Sequence, residues 1–417
     1  MRRGLLSDYF VGVGAKRLAA VDADAASSNQ HEVTGSKPLL RILGDRDRKL
    51  PRGGGADTRF FATYIWLGAE QEAVAEEARL SWYDSRRNDK SRPAEWRLYY
   101  QTNPVTEMMR PGDTLFVART PEDKLFFIVV PDESTMQNQL IWLFGLEAQP
   151  GFVFEPREIG TDTDAELDFA ARYILDELGI EPAEPEADRL DTIIEPLGLE
   201  FPGRREFSQL ARSSMPEVSA ADHPDLALVA WMDREEQLFR RLERRIVAGG
   251  IKDGFRGPHE GDVDSGFLSF SLSVQGRRKA RAGHALENHL EAVFAAQRIR
   301  YVRGVATENG NVPDFLFPGQ EEYHNRQYPD ARLTMLAAKS TIKEGWRQVL
   351  SEAARISEKH LLTLEPGISE NQTDEMYAEK LQLIVPRRLH DTYRLTQQAW
   401  LIDVASFISL VRSRQNH

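Results

Sequence analysis

The hydrophobic pattern of this chain changes period along its length, and that change limits the possible folds more than any other feature. From residue 59 to 147, apolar and polar residues alternate in short runs: "RFFATYIWLG", "LSWYDS", "EWRLYY", "DTLFVART", "KLFFIVV" and "LIWLFGL". Period-two alternation places apolar side chains on one face of a strand. Turn residues such as Pro111-Gly112-Asp113 and Pro121-Glu122-Asp123 separate the runs. Many short strands punctuated by turns predict a small barrel or sandwich. "DAELDFAARYILDEL" (164–178) then reads as an amphipathic helix, and "GIEPAEPEADRLDT" behind it carries prolines and acids without apolar periodicity, as a linker would. From about residue 200 the period becomes 3.6, in 225–247 and again in 282–298. Two strands, "VPDFLFP" and "ARLTMLAAKST", follow, and then a helix from about Ile342 to His360. Helix, two strands and helix form the skeleton of an α/β nuclease core, and the same order occurs in many other α/β folds. No internal repeat interrupts the series.

A chain of 417 residues suggests two domains, and its 41% hydrophobic and 28% charged residues describe a soluble globular protein. No apolar run approaches the length of a membrane span, so no membrane partner is expected. "MRRGLLSDYFVGVGAKRL" lacks the apolar core of a signal peptide, and a cytoplasmic location is expected. The absence of cysteine excludes disulfides, thiol catalysis and cysteine-based zinc sites. A net charge of −12 argues at first against nucleic acid. Its distribution reverses that argument. Glu155 to Glu200 holds 15 acids and 3 bases, so the rest of the chain is neutral overall. Within that rest lie "RRLERR" (240–245) and "GRRKAR" (276–281), clusters that can follow phosphates or simply form solvated helix faces.

The sharpest chemical signal lies between residues 287 and 352. Asp314 heads one predicted strand and Lys339 ends the other, sharing a face with Leu333, Met335 and Ala337. Ala337-Ala338 leaves room beside the lysine. On a helix from Ile342, the residues Ile342, Trp346, Val349, Leu350, Ala353 and Ile356 form one apolar stripe. Glu352 falls on the border of that stripe, while Glu344 and Glu358 point away. Glu352 is therefore the acid of this helix positioned to lean over the sheet edge. An Asp, a Lys and a Glu gathered there suit phosphodiester hydrolysis. Mg²⁺ prefers oxygen ligands, activates water and neutralises charge on phosphate, and a lysine helps both tasks. The usual acid-x-Lys tripeptide is absent, with Ala337 in the acid's place, and spacing alone leaves an ordinary α/β domain open. Glu287 borders its own helix's stripe and could add a carboxylate, although a surface salt bridge is the reading favoured for it.

The residues around these positions carry a resemblance. "VPDFLFPG" through "YHN", "LTMLAAKSTIKEGWRQVLSEA" and "GRRKARAGHALENHLEAVF" resemble the catalytic domain of the EcoRII family of type II restriction endonucleases. The resemblance implies Asp314 and Glu352 as metal ligands and Lys339 as the catalytic lysine, with the missing acid supplied from the following helix. It also implies an active-site role for Tyr323, for which a loop aromatic covering the core stays equally open. "YFVGVGAKRL", "SNQHEVTG" and "ARLSWYDSRR" resemble the N-terminal effector domain of that family, a pseudobarrel of the plant B3 DNA-binding type. "FPGRREFSQLA" and the helix around "REEQLFRRLERR" continue the resemblance into the catalytic half. His31, Lys90 and Arg92 fall on DNA-contacting positions of the effector domain; Glu95 and Arg97 match after a one-residue shift. The family tyrosine after the histidine is replaced here by Ser36.

The resemblance further implies that a basic–acidic–basic triplet after the lysine reads G·C pairs. A long cation can donate to G O6/N7 and a carboxylate can accept from C N4. Lys343 and Glu344 stand in this chain where the first two are expected, but Gly345 replaces the arginine. Arg347, one turn from Lys343, could compensate or could contact phosphate. The expected architecture is α/β plus all-β: a B3-like β-pseudobarrel (1–178), an acidic Pro-rich linker (179–195) and a restriction-endonuclease-like α/β core (196–417). The expected activity is Mg²⁺-dependent, sequence-specific double-strand cleavage giving 5′-phosphate ends, with the N-terminal domain as autoinhibitory effector site. Expected partners are double-stranded DNA in more than one site copy, a second copy of the chain in a two-fold homodimer, and a companion cytosine methyltransferase. Two alternatives remain: a modification-dependent nuclease, and a non-catalytic DNA-binding regulator on a nuclease fold.

Overall fold

The structure is a computed structural model that describes residues 4–23, 31–44, 59–68, 73–86, 89, 91–146, 150–160, 167–182, 186–252, 281–342 and 345–416. The chain divides into two compact units, Met1–Ala183 with Gly367–Asn371, and Glu184–Pro366 with Gln372–His417.

The period-two segment of the first unit folds as one eight-stranded sheet. Its strands are β1 (Gly12–Arg17), β2 (Glu32–Thr34), β3 (Arg59–Trp66), β4 (Val74–Asp84), β5 (Trp96–Tyr100), β6 (Thr114–Arg119), β7 (Leu125–Val130) and β8 (Glu155–Glu158). They lie in the order β2-β5-β4-β3-β7-β6-β1-β8. Neighbours are antiparallel except β3 and β7, which are parallel. The alternation sorts side chains to two faces. Leu115, Val117, Phe127 and Val129 join Trp82 and Leu98 in one core, whereas Phe116, Ala118, Ile128 and Val130 join Phe10 and Val13 in the other. Helices Thr135–Leu143 and Phe169–Glu177 cover the second face. The helix expected at 164–178 thus starts at Phe169, where the Asp168 carboxylate accepts from the Ala171 N–H at 2.9 Å. Lys37–Leu39, just beyond edge strand β2, packs on β8 at the other edge, and Ser36 Oγ donates to the Phe154 carbonyl at 3.2 Å. The sheet therefore curls until its ends approach, a barrel-like solution that covers its edges.

In the second unit, helices Ala187–Ile194, Arg204–Ser213 and Pro224–Lys252 share a core through Leu190, Ile194, Phe207, Leu238, Phe239 and Leu242. The segment read as an acidic Pro-rich linker, 179–195, contains the helix Ala187–Ile194. Leu190 and Ile194 are spaced i, i+4, so one apolar stripe is enough to dock it. A helix at 281–296 leads to a five-stranded sheet of order β13-β12-β11-β10-β9. Its strands are β9 (Val302–Arg303), β10 (Phe315–Phe317), β11 (Thr334–Lys339), β12 (Lys359–Thr363) and β13 (Leu381–Ile384). The strands from β11 to β13 are parallel, and β9, β10 and β11 are antiparallel.

The helix expected from Ile342 to His360 is a correction. Among the described residues of that segment only Trp346–Val349 is helical, and Ala353 takes a left-handed conformation at φ +45° that no α-helix accommodates. Ile342, Trp346, Val349, Ala353 and Ile356 are nevertheless all buried. Burial of the apolar stripe is met by a short turn of helix followed by an irregular bend. Lys359 then begins a strand inside the segment expected to be helical.

Candidate active site

Asp314 stands one residue before β10, where antiparallel pairing sets Phe315 opposite Leu336. Its carboxylate crosses to the end of β11 and accepts the Ala338 N–H at 2.7 Å, while its own carbonyl accepts the Gly304 N–H at 3.1 Å. Asp314 is thereby clamped beside Lys339, the last residue of β11. Burial pushes the Asp314 carboxyl above the usual range, and the nearby charge of Glu287 adds to the effect. The Ala338 N–H, Lys339 and Arg303 act in the opposite direction.

Glu352 reaches the same place from the bend after Trp346–Val349. Its carboxyl is raised to about 7, first by burial and then by Asp314, with Lys339 and Lys359 opposing. Its Oε2 is buried without a hydrogen-bond partner. Two carboxyls both raised above their usual range, Asp314 adding to the rise at Glu352 and one Glu352 oxygen orphaned, are a hard-oxygen donor pair that a divalent cation would relieve. Among the described residues no group of three or more His, Asp or Glu side chains is gathered as a metal cage. The candidate donor set is therefore two carboxylates, the number with which Mg²⁺ is commonly held when waters and substrate phosphates complete its shell.

Tyr323 lies in helix Gln320–His324 and is buried. Its hydroxyl donates to Glu308, and the Arg355 guanidinium lies over its ring, 5.6 Å from the centroid. Burial and Glu308 together push the phenol far above its ordinary value, so it stays protonated. Glu287 is engaged by Arg303, whose Nε donates to it at 3.0 Å, the salt bridge favoured from sequence. Glu358, expected to point away, is paired with Arg414 at 2.8 Å.

Lys343 and Glu344 lie outside the described residues. Gly345 beside them has φ +97°, a backbone region that glycine enters freely and an arginine does not. Arg347 pairs with Glu375 at 2.7 Å and stacks its guanidinium 4.8 Å from the Trp346 ring centroid. In the first unit, Lys90 and the basic residues Arg277, Arg278 and Lys279 of the second are likewise outside the described residues. His31 precedes β2, its ring edge-on to Tyr100 at 5.9 Å and its Nδ1 3.4 Å from Thr102 Oγ1. Arg97, on β5, donates to Glu95 at 2.8 Å and lies 3.9 Å from Glu32. Glu95 also receives Arg86 at 2.9 Å. His31, Glu95 and Arg97 thus belong to the β2–β5 edge, while Arg92 is an exposed turn residue 3.5 Å from Asp89.

Sequence reasoning missed Glu308, Arg303 and Lys359, which surround the cluster. Glu308 lies in a glycine-containing turn without periodicity, and Lys359 sits where a helix was expected, so no pattern singled them out.

Residues 239–408 match the family model described as "EcoRII C terminal". The chain is 39% identical over 212 residues to the type II restriction enzyme EcoRII of Escherichia coli, an overlap of 51% of this chain and 50% of that enzyme. It therefore spans about half the length of the curated relative it matches. Two solved structures are similar to it at low identity. Metal-depleted Ecl18kI in complex with uncleaved, modified DNA is 16% identical with a TM-score of 0.43, covering 54% of this chain and 83% of that one. The restriction endonuclease PspGI–substrate DNA complex is 12% identical with a TM-score of 0.42, covering 52% and 95%. The stretch that matches the EcoRII C-terminal family model, residues 239–408, contains Asp314, Lys339 and Glu352.

Proposed function

We propose that the chain is a type II restriction endonuclease that hydrolyses both strands of duplex DNA at a specific sequence, leaving 5′-phosphate and 3′-hydroxyl ends. The observation that carries this reading is the meeting of Asp314, Glu352 and Lys339 at the ends of β10 and β11, inside the stretch that matches the EcoRII C-terminal family. Asp314 and Glu352 would hold Mg²⁺. When bound, the ion supplies charge neutralisation at the phosphate and a more acidic water. The Lys339 ammonium donates to the phosphate oxygens on which charge accumulates in the transition state. A water oxygen forms the new bond to phosphorus and gives up a proton to solvent, the bond to the 3′ oxygen breaks, and that oxygen leaves as a hydroxyl with a proton from solvent. Tyr323 stays a neutral phenol throughout, hydrogen-bonded to Glu308.

Lys343 and Glu344 read C·G pairs, the lysine donating to guanine and the glutamate accepting from cytosine N4. Residues 1–178 act as a B3-like effector domain, which the curled sheet supports, with Lys90, Arg92, His31, Glu95 and Arg97 toward a further DNA copy. Residues 196–417 form the catalytic domain, joined through 179–195. The chain acts in the cytoplasm as a homodimer alongside a cytosine methyltransferase. The test is digestion of methylated and unmethylated genomic DNA by the full chain with Mg²⁺, followed by sequencing of the ends. Recurrent 5′-phosphate ends at one C·G-containing sequence in unmethylated DNA are expected. Cutting of methylated DNA alone would make the enzyme modification-dependent, and binding without cutting under all conditions would make it a regulator.

A further inference from the structure

The bend that carries Glu352 is pinned on both sides by side chains that do not belong to it. Asn311 Nδ2 donates to the Ser351 carbonyl at 2.7 Å. Lys359, 6% exposed at the start of β12, donates to the Ala353 carbonyl at 3.1 Å and to the Ile356 carbonyl at 2.7 Å. Glu308 Oε2 accepts the Ala354 N–H at 3.2 Å and also accepts the Tyr323 hydroxyl. Arg355 donates to the Tyr323 carbonyl and, at 2.8 Å, to the Tyr328 carbonyl. Residues 351, 353, 354, 355 and 356 are thus held, while the Glu352 carboxylate between them keeps an oxygen without a partner. In a helix those backbone groups would bond to each other. At the left-handed Ala353 the helical series ends; its carbonyl keeps a turn bond from the Ile356 N–H at 2.9 Å, and Lys359 and Glu308 supply further partners to the bend.

We infer that Glu308 and Lys359 are positioning residues that hold the 351–356 bend so that Glu352 presents a free carboxylate beside Asp314, and that Tyr323 acts through Glu308 and not on the reacting atoms. The inference rests on the proposed metal-binding role of Asp314 and Glu352. It also gives a reason for the buried Lys359, whose ammonium is costly to bury and is met here by two carbonyls of the bend. Such a lysine is useful where a carboxylate must be kept in one place without being bonded. Groups that orient a metal ligand typically change metal affinity about ten- to a hundred-fold when removed.

The experiment is titration of the full chain with Mn²⁺, following free ion by electron paramagnetic resonance, with Asp314→Ala as the baseline for non-site binding. Glu308→Ala and Lys359→Met should each weaken Mn²⁺ binding about ten- to a hundred-fold. Binding of duplex DNA without metal should stay at the wild-type level. Glu308→Gln, whose amide oxygen can still accept from both donors, should restore most of the affinity. Tyr323→Phe should add nothing to Glu308→Ala, since both act on one link. A cooperatively folded Glu308→Ala chain that binds Mn²⁺ like wild type overturns the inference, even where Lys359→Met fails to fold. Additive losses from Tyr323→Phe and Glu308→Ala overturn the part concerning Tyr323. If Asp314→Ala itself binds Mn²⁺ as wild type does, the metal reading fails and takes this inference with it.

Discussion

Glu352 holds its proton to about pH 7 because burial and Asp314 both disfavour the carboxylate. The sign for stability follows from which state binds more protons. Between the ordinary glutamate value and about 7, the folded chain keeps a proton that the unfolded chain has lost. Metal-free protein should therefore lose stability as pH rises through that window, by about 1–2 kcal/mol once solvent screening of this partly buried group is allowed for. Urea unfolding at pH 5 and pH 8 checks this, and Glu352→Gln should flatten the difference. For chemistry, Asp314→Ala and Lys339→Ala should abolish cleavage in a plasmid assay while Lys339→Ala still binds duplex. Glu352→Ala should be nearly as damaging, and Glu358→Ala, which breaks only a surface pair with Arg414, should cut like wild type. Gly345 changes an expectation drawn from pattern alone. An arginine there would complete a base-reading triplet, but at φ +97° it costs about 1–2 kcal/mol of backbone strain. Gly345→Arg should consequently sharpen discrimination among duplex sites while lowering the melting temperature, and sharpening without destabilisation would contradict the strained backbone.

At the scale of elements, periodicity located what is buried better than it located how the backbone buries it. The stripe from Ile342 to Ile356 is buried as the 3.6 period requires, yet the backbone leaves the helix after Val349. Lys359 just after the stripe and Glu308 far before it supply hydrogen bonds to the bend that follows. The opposite error occurred at 187–194, where prolines and acids hid a helix. Arg241 pairs with Asp191 and Arg234 with Glu186 at 3.0 Å, so its acids are partly ion-paired within its own unit and are not only a solvated spacer. Leu190 is fully buried in that core. Leu190→Ala should cost about 2–4 kcal/mol in denaturant unfolding, a loss out of proportion for a residue in a linker.

For the whole molecule, the boundary of the second unit at Glu184 bears on how the halves are separated. A chain cut to 196–417 loses helix Ala187–Ile194 and bares Phe207, Leu238 and Leu242. Residues 184–417 should accordingly unfold at a higher temperature than 196–417, and equal stability would show that the helix contributes nothing. If residues 1–178 restrain cleavage, 184–417 should also cut a one-site plasmid at least as fast as the full chain. The full chain should be slow on that plasmid and quicken when an oligonucleotide carrying the site is added. Equal rates in a time course would make the N-terminal half a binding accessory.

Local chemistry was enough to determine the two regimes of secondary structure and the strands bearing Asp314 and Lys339, because period-two and period-3.6 burial are written in short stretches of chain. Those stretches also put Glu352 near the pair, where the structure has it, while misjudging the backbone that delivers it. Only the tertiary structure decided that delivery. Of the partners of the bend at Ala353, Glu308 lies forty-five residues before it, and no local pattern records a hydrogen bond between residues so separated; Lys359 is near in sequence but sat where a helix was expected. The same holds for the curl of the eight-stranded sheet, where the segment after β2 meets β8 more than a hundred residues later. Alternation says which face of a strand is buried. Closure depends on which edges meet, and that is settled by packing.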